Sequence, residues 1–338
     1  MTNYFWNGTN INLKGQNRMD AKFDVALMVK VAQMYYNNNL KQEEIAKELQ
    51  ISRSLISMIL TEAKDVGIVQ INILDPQMNN DELSKQFESM FGLKKCIIVP
   101  TAVQDPNTLR KLVARRAVEV FNQELADQSN IGISWGRTCN EFIDQYTPAS
   151  AYKDISIVPL IGGSNQIAHY YQVNEMVRVF AEKVGGNPYF IYAPCLNSTV
   201  EEKLLFEGSS NMQSILDKWA NLDIIIAAVG SLPDFNSHER ETYIGESEIF
   251  GILEKSEAVG DINARYFDKN GNFIENEYFD RMIGVSVDEL RNAHTTIGVA
   301  AGQEKVTAIL GAMKTRIFNI FITDEQTAKS VLKSQTLK

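Results

Sequence analysis

Arg53, Ser54, Ser57, Met58 and Thr61 are the first residues whose types and spacing suggest a chemistry. At the helical period they fall on one side together with Lys64, while Leu55, Ile56, Ile59, Leu60 and Ala63 fall on the other. An apolar back and a front of short polar groups suit a helix laid in the major groove of DNA. Arg53 is placed to pair bidentately with guanine, and Met58 to touch a thymine methyl. The surrounding segment, QEEIAKELQISRSLISMILT (Gln42–Thr61), has the spacing of a helix-turn-helix. Ala46 is small where the two helices must cross, Gln50–Ser52 makes the turn, and Ser52 can cap the second helix. Gln42, at the start of the first helix, joins the candidate DNA-facing set.

A second group of residues has the chemistry of an anion site. In ISWGRTCNEF (Ile133–Phe142), Gly136 permits close backbone approach, Arg137 supplies charge and Thr138 offers a hydroxyl at a helix start. Together they make a phosphate cradle, although Gly-polar-Thr is also ordinary turn-and-cap chemistry. In GVAAGQEKVTAI (Gly298–Ile309), Lys305 sits in the first turn of a helix. A cation there opposes the helix dipole unless an anion is near; a plain surface lysine is the alternative. In AVGDINARYFDKNG (Ala258–Gly271), Asp261 can accept hydrogen bonds from sugar hydroxyls or close an Asx-turn, and Asp268–Gly271 reads as a hairpin turn. Gly162–Gly163, after VPLI, is another glycine strand end, suited to ligand approach or simply to the turn.

These groups need elements to hold them. Residues 1–20, rich in Asn and Gly, read as a poorly ordered leader. Residues 21–76 read as a DNA-binding domain: a helix over Lys22–Tyr36, a turn at Asn37–Asn39, the helix pair, a stop at Gly67 and an alternating strand Ile68–Leu74. Three helices and a trailing β element suggest a winged or sigma-region-4-like domain. Residues 77–338 change period. Helices at Asp81–Phe91, Leu109–Leu125, Thr138 onward, Asn174–Val184, Val200–Phe206, Asn211–Ala220, Glu304–Met313 and Glu325–Leu332 separate short apolar strands. The strands are Cys96–Pro100, Asn130–Trp135, Ile155–Leu160, Tyr189–Ala193, Asp223–Val229, Thr296–Ala300 and Phe318–Thr323. This alternation predicts an α/β fold whose doubly wound, mostly parallel sheet is Rossmann-like and covered on both faces. In such sheets ligands gather at the carboxyl ends of the strands.

Composition is consistent with this division. At 338 residues two domains are expected, and 44% hydrophobic content is ample for a large core. No apolar stretch approaches the roughly 20 residues needed to span a bilayer, and the N-terminus lacks the apolar run of an export signal. Three widely separated cysteines, Cys96, Cys139 and Cys195, fit neither a disulfide framework nor a metal site, and a reducing cytoplasm is the simpler expectation. The net charge of −9 opposes nucleic acid, but residues 1–76 hold eight basic and eight acidic side chains, so the acidity lies in the remainder. A neutral reader has few cations for phosphate, and avidity from a dimer or tetramer is the remedy.

Taken together, the segments resemble the SorC family of bacterial sugar-responsive transcriptional regulators, from about Ala26 to Leu332. The residues that carry the resemblance are VAQMYYNNNLKQEEIAKELQISRSLISMIL, AKDVGIVQI, GISWGRT, VPLIGG, VGDINARYFD, RMIGVSVDELR, AGQEKVTAI and FITDEQTA, in that order. The resemblance implies operator DNA as one partner and a phosphorylated sugar or polyol as effector, bound in a domain like those of ribose-5-phosphate isomerase and glucosamine-6-phosphate deaminase. It implies a homotetramer, a dimer of dimers; no cofactor is expected. Carried over by motif, Gly136, Arg137 and Thr138 would line the phosphate site with Lys305 as its cation, Asp261 would hold sugar hydroxyls, and Gln172 or Asn174 would contribute. The sequence departs from the family at Met58 and Thr61, where basic residues are frequent, and at Arg137, where a small or hydroxylated residue is frequent.

The rival expectation is a sugar-phosphate isomerase or deaminase. That chemistry needs a general base and a proton shuttle in the pocket. The three histidines, His169, His238 and His294, form no recognisable arrangement, and neither Asp261 nor Asp324 has an obvious partner for such work. No catalytic or metal-ligating residue is therefore assigned.

Overall fold

The structure, a computed structural model, describes residues 22–69, 80–164, 172–232 and 247–336. The chain divides into two compact units, Met1–Ile73 and Leu74–Lys338.

The first unit is helical. Helix α1 (Val25–Ala32) is capped by Asp24 and runs into a π-helical turn, Gln33–Asn37. Helix α2 (Gln42–Leu49) ends on Gln50 in the left-handed region, and α3 (Arg53–Asp65) begins at once. The Ser52 hydroxyl accepts the Leu55 N–H at 3.1 Å, the cap that its position implied. Met28, Val31, Met34, Ile45, Ile56, Ile59, Leu60 and Ala63 form the small core that holds the three helices together. Gly67, at φ +79°, follows the end of α3. The strand expected at Ile68–Leu74 lies, beyond Val69, outside the described residues.

The second unit contains helices α4 (Asp81–Phe91), α5 (Pro106–Glu124), α6 (Arg137–Gln145), α7 (Val173–Val184), α8 (Val200–Glu207), α9 (Ser210–Trp219) and α10 (Ser247–Lys255). Further along are α11 (Glu277–Asp280), α12 (Val287–Asn292), α13 (Val306–Lys314) and α14 (Glu325–Thr336). Its strands are β1 (Lys95–Val99), β2 (Asn130–Ile133), β3 (Ser156–Pro159), β4 (Asn187–Pro188), β5 (Ile224–Ser231), β6 (Ala258–Ile262), β7 (Arg265–Asp268), β8 (Thr295–Val299) and β9 (Ile320–Asp324). The order β1-β9-β8-β5-β2-β3-β4 is parallel throughout.

Alternation along the strands shows that both faces are buried. Ile224 and Ile226 of β5 face one core with Ile320 and Ile322 of β9, against α5, α6 and α7. Ile225, Ala227 and Phe321 face the other, against α4, α9, α13 and α14. On the first face Phe121, Phe142, Tyr146 and Phe180 meet in edge-on ring contacts that lock α5, α6 and α7 together. Cys96 and Cys139 are buried in these cores and Cys195 in a smaller separate cluster, and burial pushes their thiols up, Cys139 to about 12.

Two expectations need correction. The strand expected over Tyr189–Ala193 does not form; the short strand Asn187–Pro188 precedes it. Beyond Tyr189 the pairing is taken over by the Asn174 amide, which accepts from Ile191 N and donates to Ile191 O at 3.0 and 2.9 Å. The segment around Asp261 is not the end of a parallel strand. Strands β6 and β7 form an antiparallel hairpin added to the carboxyl end of β5, with Asn263 and Ala264 both at positive φ in a two-residue turn.

Candidate functional site

In the first unit, Arg53, Ser54, Ser57, Met58 and Thr61 are all exposed on α3, opposite its buried face. Thr61 donates its hydroxyl to Ser57 O at 3.0 Å, and the Ser54 and Ser52 hydroxyls are 2.9 Å apart. Arg53 pairs with Glu43 of α2 at 3.4 Å, with both side chains largely exposed. Such a pair adds little stability and leaves the guanidinium available to a stronger anion. Gln42 is half-buried at the start of α2 rather than on α3.

In the second unit, the carboxyl ends of β2, β5 and β8 open into a cavity of about 600 Å³. After β2 the chain turns through Ser134, Trp135 and Gly136 into α6. Gly136 adopts φ +106°, ψ 170° at the cap position, without a side chain to occupy the first amides of the helix. Arg137 and Thr138 follow and line the cavity, Arg137 exposed and Thr138 buried. A helix start left open in this way directs N–H groups and the positive end of its dipole at whatever enters.

Lys305 reaches the same cavity from the turn before α13, and its Nζ donates to Val229 O at 2.7 Å. Asp261, buried, comes in from the hairpin and accepts the Ala264 N–H at 3.0 Å. Gly230 makes room for it: a Cβ there would stand 1.9 Å from Asp261 Oδ1. Burial pushes the Asp261 carboxyl up to about 6, against the Ala264 hydrogen bond and the charge of Lys305. Burial brings Lys305 down to about 8; Asp261 and Glu304 oppose the fall, whereas Arg110 and Arg137 add to it.

Five expected site residues therefore line one cavity: Gly136, Arg137, Thr138, Asp261 and Lys305. The other four are placed differently. Gly162 packs against the Pro194–Cys195 backbone, where a Cβ would come within 2.7 Å, and Gly163 exchanges main-chain hydrogen bonds with Ala193 and Cys195. These glycines serve close backbone packing, and the cavity lining does not include them. Gln172 donates its amide to Ser164 O at the start of α7, and the Asn174 amide is engaged with Ile191, so neither belongs to the lining.

Sequence reasoning did not anticipate Arg110, Trp135, Ser134 or Asn263 in this cavity. Ser134 Oγ donates to Asn263 Oδ1 at 2.9 Å, and Asn263 Nδ2 donates to Leu160 O at 2.9 Å, so a buried amide ties the hairpin tip to the ends of β2 and β3. Asn263 opens the two-residue turn between β6 and β7, and its partners are far away in sequence, so no local pattern marks its role. Of the groups considered for catalysis, Asp324 accepts from Gly302 N, Thr327 N and the Thr327 hydroxyl, which pins the β8–α13 loop. His294 lies exposed at the amino end of β8, away from the cavity. His169 and His238 lie outside the described residues.

Comparison with known proteins places this architecture. Residues 75–333 match the model of a putative sugar-binding domain. The chain is 31% identical over 307 residues to the deoxyribonucleoside regulator of Bacillus subtilis (strain 168), covering 90% of this chain and 97% of that protein. The chain belongs to the SorC family. Members of that family are transcriptional regulators, and this chain is one. It is also 28% identical to the sorbitol operon regulator of Klebsiella pneumoniae, over 93% of this chain and 100% of that one. The crystal structure of that full-length regulator, SorC, superposes with a TM-score of 0.70 at 27% identity, covering 92% of this chain and 99% of that chain. Among the described residues no helix is long and apolar enough to cross a membrane.

Proposed function

We propose that the cavity of the second unit binds a phosphorylated sugar or polyol, and that its occupancy sets the affinity of the first unit for operator DNA. The observation that carries this reading is the convergence of an open helix start (Gly136, Arg137, Thr138) with Lys305 and Asp261 in one cavity. The phosphoryl oxygens take the amides at the start of α6, the Thr138 hydroxyl and the Arg137 guanidinium, with Lys305 adding charge. Asp261 accepts from hydroxyls further along the chain of the ligand. Relatives named as a sorbitol operon regulator and a deoxyribonucleoside regulator support a ligand from carbohydrate metabolism.

On the DNA side, α3 enters the major groove with Arg53, Ser54, Ser57, Met58 and Thr61 toward base edges, and Gln42 toward the backbone. Near-neutral charge in this unit calls for several copies on one operator, supplied by a cytoplasmic homotetramer. Effector and DNA are coupled only to the extent that the effector binds two arrangements of the protein unequally. Sensing rather than conversion is favoured by the engagement of Asp324 with the β8–α13 loop and by the place of His294 at the amino end of β8, which leave Asp261 as the one of these described groups that lines the cavity.

Thermal-shift measurements against phosphorylated and neutral polyols test the reading. A ligand that binds only the native state raises its melting temperature. The shift should appear with phosphorylated members and vanish in Lys305→Glu; a shift that persists in this variant places the anion elsewhere.

A further inference from the structure

We propose that Ser134, just after β2, reads one hydroxyl of the ligand. Asn263 takes the Ser134 proton, so Ser134 accepts from that hydroxyl and rejects an analogue with a hydrogen or a carbonyl oxygen at the same carbon. This rests on the reading that the cavity holds a phosphorylated sugar or polyol, and it names a side chain that selects among such ligands.

A chain of hydrogen bonds fixes which way these groups point. Leu160 O can only accept, and it takes Val285 N at 2.9 Å and Asn263 Nδ2 at 2.9 Å. The Asn263 amide is thereby turned with its nitrogen toward Leu160 and its oxygen toward Ser134. Asn263 Oδ1 also can only accept, so Ser134 gives it the single hydroxyl proton, at 2.9 Å. What Ser134 has left for a ligand is the lone pairs of its oxygen. Its own N–H donates to Ile226 O at 3.0 Å, which ties this residue to β5. Ser134 and Asn263 both line the cavity and are each 2% exposed, so few other partners compete for them.

Asp261 has the same polarity. It accepts the Ala264 N–H at 3.0 Å, and an ionised carboxylate has no proton to give. The start of α6, by contrast, offers N–H donors. One part of the cavity therefore suits phosphoryl oxygens, and the part lined by Ser134 and Asp261 suits hydroxyls. A hydroxyl that donates to Ser134 satisfies it. A carbonyl oxygen would set lone pair against lone pair, and a methylene would displace water from Ser134 and return no hydrogen bond.

The test is isothermal titration of the full-length protein with a panel of aldose and alditol phosphates, among them erythritol 4-phosphate, ribose 5-phosphate and glucitol 6-phosphate. The tightest binder is then compared with its monodeoxy and mono-oxo analogues at each hydroxyl-bearing carbon. The wild type should bind analogues altered at the carbon read by Ser134 about tenfold or more weakly, as when a buried polar group is left unpaired. Ser134→Ala should erase the preference at that one carbon and leave any preference at the others. Asn263→Gly tolerates the φ of +53° at this turn position and frees the Ser134 proton. It should admit the oxo analogue at the same carbon, a change that a purely structural role of Asn263 would not produce. Melting temperatures verify that both variants are folded. A folded Ser134→Ala protein that keeps every wild-type preference, or a wild type with no preference at any carbon, overturns the role of Ser134 and leaves the phosphate reading standing. An Asn263→Gly protein that still rejects the oxo analogue overturns the part given to Asn263. A wild type that binds none of the phosphates, or binds them no better than the free sugars and polyols, overturns the reading of the cavity and this proposal with it.

Discussion

Gly136→Ala isolates the backbone geometry on which the proposed phosphate cradle depends. The glycine sits at φ +106°, ψ 170°, and a Cβ built there meets nothing within 4 Å. Space is therefore not the obstacle; the dihedral pair is, because that region is open essentially to glycine alone and costs another residue about 1–3 kcal/mol. Gly185 supplies the matched control. It is also free of neighbours within 4 Å and also at positive φ, +76°, but it ends α7 away from the cavity, where alanine costs roughly 1–2 kcal/mol. Alanine at 136 can shed its strain only by turning the peptide that presents the first amides of α6, and whose carbonyl accepts from Asn140 N at 2.9 Å. Both variants should lose comparable stability in urea denaturation. Only Gly136→Ala should lose affinity for a phosphorylated polyol in calorimetric titration, by about tenfold, as when one charge-assisted hydrogen bond is lost. Wild-type affinity in a destabilised Gly136→Ala protein, or equal loss in Gly185→Ala, would refute the geometry.

Three further outcomes follow from the same structure. Folded Asp261 holds its proton more tightly than the unfolded chain does, so its contribution to stability is greatest at low pH and is lost as pH rises from about 4 to about 6; urea midpoints should show this slope in the wild type and lack it in Asp261→Asn. Arg53→Ala should weaken operator binding by about 1–3 kcal/mol at fixed salt, and an unchanged affinity removes Arg53 from the reading face. Phe121→Ala, which empties the centre of four packed rings, should cost about 3–5 kcal/mol in unfolding free energy; a loss below 1 kcal/mol would mean that the ring cluster does not hold α5, α6 and α7 together.

Much of this architecture is legible from local pattern. The α2–α3 pair follows from helical periodicity, the Ser52 cap and a short turn, all within twenty residues. The Gly136–Thr138 and Lys305 sites follow from glycines at strand ends leading into helices. What escaped the sequence is held by contacts between distant segments. The β4 region reads as a full strand from Tyr189 to Ala193, yet an amide on α7 replaces most of its partner strand. Arg110 lies on a helix whose apolar face dominates its pattern, and only the packing of α5 over the sheet brings it to the cavity. Gly162 looks like a ligand-facing glycine because a close backbone approach leaves the same local trace whether the neighbour is ligand or protein.

The central claim is linkage between the cavity and DNA, and one titration addresses it most directly. A fluorescent DNA fragment, selected for binding to the full-length protein, is titrated with and without a saturating phosphorylated polyol whose occupancy is verified by calorimetry. The account predicts a shift in DNA affinity of about fivefold or more in the wild type, and none in a Thr138→Ala, Arg137→Gln variant that no longer takes up the ligand. Identical DNA affinity for the empty and the occupied wild-type protein would contradict it.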